Sequence, residues 1–197
     1  MKKLLMLLPA LLLAACGTMR SAPSSLFDLG PLPPPPSVQA LPALPPVSVA
    51  EIDMPNWLDR PQMYYRLGYA NNQQPRAYSQ SRWVMQPSQL IAQRLKARIA
   101  QAGGVALPAS DGAARVPVLN IEVDDFTQHF DTASASSGRI SLRASVFRGR
   151  ILLAQKTIDV STPAPTADAS GGARALARAT DTAIDTLIRW LDTLPLK

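Results

Sequence analysis

The single histidine, His129, limits the catalytic chemistry that this 197-residue chain could perform. A Ser-His-Asp triad would have to use it, and the sequence has no Gly-x-Ser-x-Gly turn to present a nucleophilic serine. Together with Asp125 and Asp131, His129 is a conceivable metal-ligand set. No second histidine or cysteine completes a tight shell, so a solvated strand end is the favoured interpretation. The sequence therefore predicts a protein that is not an enzyme and needs no metal or other cofactor.

Cys16 is the only cysteine, and it follows Leu13-Ala14-Ala15 at the end of an apolar run that Lys2 and Lys3 precede. This order of charged, apolar and small residues is typical of a cleavable export signal. The run is shorter than the roughly 20 residues that a membrane-spanning helix needs. A buried structural cysteine is the other alternative. We favour cleavage after residue 15, because the Leu-Ala-Ala-Cys pattern resembles bacterial lipoproteins, in which Cys16 would carry the lipid.

The lipoprotein pattern also implies a location for the protein. Acyl chains contribute roughly 0.8 kcal/mol of membrane-binding free energy per buried methylene. Several chains on Cys16 would therefore anchor the protein to a membrane, although the polypeptide itself would not span it. Gly17 stands where lipoproteins of the inner membrane commonly carry aspartate. The resemblance therefore implies the periplasmic face of the outer membrane.

Composition is that of a folded domain and excludes some partners. Hydrophobic residues make up 47% of the chain, which is enough for a core. The formal net charge is +6, but the arginines are scattered rather than clustered, so no nucleic-acid-binding surface is indicated. With one cysteine, an intramolecular disulfide is impossible.

A proline-rich tract separates the N-terminus from the main domain. Eight of the sixteen residues 31–46 are proline, which favours extended polyproline conformation. The tract is either a spacer that gives reach from the membrane or a strap that follows the protein surface. We predict three parts: a signal peptide at 1–15, a lipidated N-terminus with a short strand and proline-rich tether at 16–46, and one domain at 47–197.

The periodicity of apolar residues predicts an α/β fold with a mixed, largely antiparallel sheet packed with two main helices. One helix begins at Pro87 and ends at Gly103-Gly104, and the other begins near Gly172. Residues 70–80 are predicted to form a loop or wide turn. The last strand, 150–160, is apolar on both sides and is predicted to be covered on both faces. The other predicted strands are 26–30, 47–52, 62–67, 119–124 and 139–146.

Aromatic and cationic residues are concentrated between Met54 and Arg66. Arginine and large aromatic residues carry much of the binding energy at protein interfaces, although core packing is about as common a role for them. The candidates for a partner-binding surface, or for its structural support, are Trp57, Arg60, Tyr64, Arg66, Arg82 and Trp83.

Three segments occur in a characteristic order: the short strand Phe27-Asp28-Leu29-Gly30-Pro31, the block from Pro55 through Leu58-Asp59-Arg60-Pro61-Gln62 to Arg66, and Arg82-Trp83 ahead of the first helix. In this order and spacing the chain resembles the ABC-type transport auxiliary lipoproteins, whose best-known branch is the paraquat-inducible protein C group. Two departures are the longer proline tract and Met63-Tyr64, which replaces a valine-like pair.

The resemblance implies a periplasmic accessory of an ABC transporter that moves lipids between the inner and outer membranes. The implied partners are a subunit of the mammalian-cell-entry (MCE) type and the transporter's permease and ATPase, and a homo-oligomer is left open. Two alternatives are a lipid carrier with a cavity lined by residues such as Leu142 and Ile151, and, last, a periplasmic hydrolase that uses His129.

Overall fold

The computed structural model describes residues 24–34, 40–111 and 116–196, and in them an eight-stranded mixed sheet packs against two helices. This confirms the predicted fold class. Cys16 and the signal peptide lie outside the described residues, so the predicted three-part division of the chain stays a prediction. The strands are β1 (Ser25–Phe27), β2 (Val47–Val49), β3 (Gln62–Leu67), β4 (Asn71–Trp83), β5 (Ala106–Pro108), β6 (Val118–Phe130), β7 (Ser136–Arg148) and β8 (Ile151–Pro163); the helices are α1 (Pro87–Gln101) and α2 (Ala169–Asp192), with a 3-10 turn at Ala109–Asp111.

Strand β6 is the centre of the sheet. One of its edges pairs along its whole length with antiparallel β7. The other edge is shared by two parallel strands, β2 near the start of β6 and β3 near its end. Strands β4 and β1 extend the sheet beyond β3, β5 lies beyond β2, and β8 lies beyond β7. The sheet therefore ends at β1, β5 and β8.

A β-bulge in β6 changes which residues face the helices. The predicted core side chains Leu119, Ile121 and Val123 are buried, as the alternating pattern indicated. The register with β7 then shifts between Val123 and Asp125, so one extra residue enters the strand. The core continues at Phe126 instead of at Asp125. Asp125 and His129 consequently lie on the face opposite the helices.

The predicted ends of α1 are confirmed. Pro87 occupies its first turn, and Gly103 follows the helix with a φ of 82°, a conformation that glycine adopts without strain. Helix α2 begins earlier than predicted because Asp168 caps it, accepting the backbone N–H of Gly171 at 2.7 Å. The predicted apolar stripe of α2 faces the sheet and is buried at Leu176, Ala179, Ala183, Leu187 and Leu191.

Two bidentate ion pairs join the helices side by side. The Arg94 guanidinium contacts the Asp181 carboxylate at 2.7 and 2.8 Å, and Arg98 contacts Asp185 at 2.7 and 3.1 Å. Arg94 is only 7% exposed and Arg98 only 3%. Burial of these two charges is possible because each guanidinium is neutralised by a carboxylate of the neighbouring helix.

The same arginines hold the proline-rich segment against the helices. Arg94 also donates to the carbonyl oxygen of Gly30 at 2.8 Å, and Arg98 donates to that of Pro33 at 3.0 Å. Further along, Leu41 and Leu44 are buried in the common core. We call residues 28–34 and 40–46 the proline strap. Of the two alternatives drawn from the sequence, these residues follow the surface-hugging one.

Two strand predictions were wrong. Residues 71–80, predicted as a loop, belong to β4, whose backbone pairs with β3 although most of its side chains are exposed. Strand β8 is an edge strand, and Ile151 and Leu152 at its start are 69% and 49% exposed rather than covered on both faces. In both cases backbone pairing determined the structure, and side-chain polarity was a poor guide to it.

Gly138 in β7 lies directly under α2. A Cβ atom at this position would come within 2.5 Å of the Leu176 backbone nitrogen and 2.6 Å of the Ala175 carbonyl carbon. We therefore expect Gly138→Ala to push α2 off the sheet and to lower the free energy of unfolding by about 1–3 kcal/mol. Urea denaturation would measure this change, with Ser137→Ala on the opposite face of β7 as the control. Equal stabilities for the two variants would contradict the prediction.

Candidate functional site

The segment from Met54 to Arg66, where aromatic and cationic residues are concentrated, begins with a turn that positions its neighbours. Leu58 is buried, and its backbone N–H donates to the Pro55 carbonyl at 2.8 Å. The Asp59 carboxylate accepts the Ser88 backbone N–H at 3.0 Å and the Ser88 hydroxyl at 2.9 Å. Ser88 lies in the first turn of α1, where a carboxylate also meets the positive end of the helix dipole. Asp59 therefore fixes this turn to α1.

An aromatic-cationic cluster forms between this turn and β3. The rings of Trp57 and Tyr64 meet edge to face, with their centroids 5.4 Å apart. The guanidinium carbon of Arg66 lies 5.6 Å from the Trp57 ring centroid, which is within the range of a cation–π contact. Trp57 is 36% exposed. The cluster of Trp57, Tyr64 and Arg66 therefore presents an ordered aromatic surface to solvent.

The other three candidates of the sequence analysis lie outside this cluster. Arg60 is exposed and donates from its Nε to the carbonyl oxygen of Asn56 at 3.0 Å. Arg82 lies on β4 beside Leu26 of β1. Trp83 is 2% exposed and packs on Phe126 with ring centroids 5.4 Å apart. Trp83 is thus a core residue, whereas Trp57 is available at the surface.

An open polar groove lies on the sheet face opposite the helices. It has a volume of about 330 Å³, and its polar lining comes from β6, β7 and β8, namely Asp125, Arg139, Ser141, Asp159 and Ser161. Arg66 of the aromatic cluster pairs in register with His129, which lies on the same face of β6 as Asp125. The cluster and the groove therefore belong to one continuous face, which no helix of the described residues covers.

Asp125 is the electrostatically unusual group of this groove. Burial raises the pKa of its carboxyl group, and the Thr127 hydroxyl at 2.8 Å and the charges of Arg66 and Arg139 offset the effect only in part. The folded protein therefore binds this proton more tightly than the unfolded chain does. The contribution of Asp125 to the free energy of unfolding should therefore be present at low pH. It should be lost as the pH rises from the ordinary aspartate pKa through the raised pKa of Asp125.

Asp125→Asn tests this linkage. The variant should be more stable than the wild type at neutral pH, and the difference should shrink as pH falls toward an ordinary aspartate pKa near about 3.9. Urea denaturation at a series of pH values would measure it, and Asp124→Asn, at the exposed neighbouring position, is the control for the loss of one negative charge. Parallel pH profiles for wild type and Asp125→Asn would disprove the linkage.

His129 lies near the end of β6, between Asn72 and Asp131. It is 7% exposed, its Nε2 lies 2.8 Å from Asn72 Oδ1, and its Nδ1 lies 3.3 Å from Asp131 Oδ1. Within the described ranges, no group of three His, Cys, Asp or Glu side chains is placed to hold a metal ion. The sequence favoured a solvated strand end; His129 does lie near the end of β6, but its side chain is buried rather than solvated.

The residues suggested for a lipid cavity lie apart. Leu142 is buried in the core, whereas Ile151 is exposed at the start of β8. The pair therefore does not line one enclosed cavity.

The family of the chain follows from the order of these elements and from a family-model comparison. The model for the ABC-type transport auxiliary lipoprotein component matches residues 27–188, from the end of β1 to the last turns of α2. The chain belongs to the ABC-type transport auxiliary lipoprotein family. This confirms the resemblance found in the sequence. No curated protein matches the chain.

Solved structures show the same fold as this auxiliary lipoprotein. A Xanthomonas campestris protein of the DUF330 family superposes with a TM-score of 0.73 at 19% identity, over 86% of this chain and 96% of that one. A second protein, described as uncharacterized, superposes with a TM-score of 0.67 at 15% identity, over 86% of this chain and 99% of that one. At such identities the likeness establishes the fold alone.

Two features of this auxiliary lipoprotein were missed in the sequence. The first is the role of Asp59 as a cap of α1, which is a tertiary contact across 29 positions and leaves no local signal. The second is the pair of ion pairs between the helices, Arg94 with Asp181 and Arg98 with Asp185. Their signal was present, because Arg94 and Arg98 repeat at a spacing of four residues, and so do Asp181 and Asp185.

In the described part of the chain, neither helix combines the length and apolar composition required to cross a bilayer.

Proposed function

We propose that this auxiliary lipoprotein is a non-catalytic, outer-membrane-anchored periplasmic component of an ABC system that carries lipids between the membranes. Cys16 is the lipid attachment site, and the MCE-type subunit and the permease and ATPase of the transporter are the partners. Membership in the family supports the association with an ABC transporter. The sequence pattern around Cys16 and Gly17 supports the anchor and its location.

The observation that carries the docking role is the cluster of Trp57, Tyr64 and Arg66, in which Trp57 is exposed and the other two side chains are half-buried. Stacking fixes these side chains before any partner binds, so little side-chain entropy remains to be lost on association. Aromatic residues and arginine dominate the binding energy of protein interfaces. The adjoining groove with Asp125 and Arg139 supplies polar groups around this aromatic centre. We infer that the transporter's periplasmic subunit binds this face.

Replacement of Trp57 and Arg66 by alanine tests the docking face. Truncation of central aromatic and arginine residues commonly costs 2 kcal/mol or more, which predicts at least about a thirtyfold loss of affinity for the double variant. The measurement is the amount of transporter that co-purifies with the lipoprotein from detergent-solubilised membranes. The melting temperature should fall only slightly, because Trp57 is exposed and the half-buried Arg66 gives up one hydrogen bond, to the Asn72 carbonyl oxygen at 2.9 Å.

The matched control is Leu152→Ala with Arg150→Ala, which removes one large apolar side chain and one arginine from the exposed β7–β8 end. This variant should retain the partner. Retention of the transporter by the Trp57/Arg66 variant would exclude the cluster as the docking site, and a loss by both variants would show a non-specific effect. Trp83→Ala is unsuitable because it would remove a core side chain.

A further inference from the structure

The direction in which the chain enters the fold indicates which end of the molecule lies nearest the membrane. Strand β1 is parallel to β4, with Ser25 opposite Ser81 and Phe27 opposite Trp83. Followed toward the N-terminus, β1 therefore points to the turn at residues 68–70, where β4 begins. The lipid anchor at Cys16, which rests on the proposed function, is expected on that side.

The chain between Cys16 and Ser25 is short. Eight residues, 17–24, separate them, so the two Cα atoms are at most about 30 Å apart. The proline strap adds nothing to this reach, since it follows β1 and is held to the helices by Arg94 and Arg98. Strand β6 alone, at about 3.3 Å per residue over its 13 residues, spans roughly 40 Å. The anchor can therefore hold only one end of the domain close to a bilayer.

That end has a defined set of elements, which we call the tether-side end: the turn at residues 68–70, the start of β4 at residues 71–76, the loop at 131–135 and the first turns of α2. The Gly68 backbone N–H donates to the Phe130 carbonyl at 2.9 Å, so the turn lies beside the end of β6. A Cβ atom on Gly172 would lie 2.0 Å from Gln128 Oε1, so α2 begins at the same level. Tyr69 in the turn is 52% exposed.

The tether-side end carries arginines that are bonded to neutral groups. Arg76 donates to Gln74 Oε1 at 3.1 Å, Arg174 to Ser170 Oγ at 2.7 Å, and Arg178 to the Pro163 carbonyl at 2.8 Å. All three arginines are exposed.

The carboxylates at this end are already engaged. Asp131 pairs with Arg139 at 3.2 Å, and Asp168 accepts the Gly171 N–H at the start of α2. Arg76, Arg139, Arg174 and Arg178 outnumber these two carboxylates, so the surface is net positive, and it also carries the exposed Tyr69.

We propose that the tether-side end is a membrane-contact surface that binds anionic phospholipid headgroups through Arg76, Arg174 and Arg178, with Tyr69 at the interface. Guanidinium groups bind phosphates in a bidentate geometry, and tyrosine is favoured at the boundary between headgroups and water. With this end on the bilayer, the start of β8 and the end of α2 point away from the membrane toward the periplasm.

The orientation can be measured on vesicles without depending on acylation in cells. Residues 17–197 carry an N-terminal histidine tag in place of Cys16, and the tag is held by nickel-chelating lipid in vesicles of phosphatidylethanolamine and phosphatidylglycerol. An environment-sensitive fluorophore is attached through Tyr69→Cys in one sample and Ile151→Cys in another. A nitroxide on the lipid headgroups should quench the label at position 69 strongly and the label at position 151 little. Equal quenching at the two positions, or stronger quenching at 151, would overturn the proposal.

The arginines are tested without the tether. Sedimentation of the untagged Cys16→Ser chain, residues 16–197, with the same vesicles lacking nickel-chelating lipid would measure its binding. Because each basic residue near an anionic surface contributes about 1 kcal/mol, Arg76→Gln/Arg174→Gln/Arg178→Gln should weaken binding at least about tenfold.

The control Arg148→Gln/Arg150→Gln/Lys156→Gln removes the same charge away from the tether-side end and should bind nearly as the wild type does. Equal losses of vesicle binding in the two triple variants would show that the net charge alone attracts the protein to the vesicles. That result would contradict a specific binding surface at the tether-side end. Neither assay uses the transporter or cellular lipidation, so failure of the proposed function would leave both results unchanged.

Discussion

Replacement of Cys16 by serine is expected to abolish incorporation of radiolabelled palmitate completely, because no other thiol in the chain can carry the lipid. Each buried acyl methylene contributes roughly 0.8 kcal/mol, so a protein with several acyl chains is retained on a bilayer and a protein with none is not. To separate anchoring from signal cleavage, residues 1–16 can be exchanged for an ordinary cleavable export signal. That variant should appear in the soluble periplasmic fraction, whereas the wild type should sediment with the envelope.

Gly17→Asp is the matched control for the anchor, since it keeps Cys16. This variant should label with palmitate as the wild type does. Under the sorting pattern inferred from Gly17, it should shift from the outer to the inner membrane on density-gradient fractionation. Palmitate labelling of Cys16→Ser would refute lipid attachment at this residue. An unchanged outer-membrane position for Gly17→Asp would count against the sorting argument and leave the anchor intact.

Arg94→Ala is expected to lower the free energy of unfolding by about 3–5 kcal/mol, because it leaves the Asp181 carboxylate without its partner between two helices. The same change removes the donor to the Gly30 carbonyl that holds the proline strap. Urea denaturation would measure the loss of stability. Hydrogen exchange should show faster exchange in the strap, in particular around residues 29–34, than in the wild type.

Two further variants test whether the unpaired buried charge is the cause of this loss of stability. Arg174→Ala removes an arginine that is bonded only to hydroxyl groups at the surface and should cost little. Arg94→Leu combined with Asp181→Leu removes both charges and should recover much of the stability, since burial of an unpaired charge is the main cost. If Arg94→Ala lowers the free energy of unfolding by less than about 1 kcal/mol, the Arg94–Asp181 ion pair is solvated and comparable to a surface ion pair.

The alternation of residues along the strands was sufficient to predict most of the sheet, and the exceptions have distinct causes. Strand β4 was missed because its polar side chains are exposed on both sides, so burial gives no period-two pattern. The exposed face of β8 was misjudged because a sequence does not state which strand lies at an edge. The bulge at Asp124 could not be predicted, because it depends on the register between β6 and β7.

The candidate site was predicted in composition but not in arrangement. Trp57, Tyr64 and Arg66 were selected by residue type, together with Trp83, which the fold buries against Phe126. The residue types alone could not distinguish a side chain on a partner-binding surface from a core side chain that supports it, because an aromatic side chain suits either environment. The separation came from the position of Trp83 at the end of β4, packed on Phe126, and of Trp57 in an exposed turn.

By itself, the sequence determined the properties that depend on local order: the signal-like N-terminus with Cys16, the two amphipathic helices, the alternating strands and the family to which the chain belongs. Tertiary structure alone decided the properties that depend on partners distant in the chain. These are the ion pairs from Arg94 to Asp181 and from Arg98 to Asp185, the docking of the proline strap, and the direction of β1. The physical reason is that periodicity records which face of an element is apolar, whereas ion pairing and strand direction depend on which elements become neighbours in space.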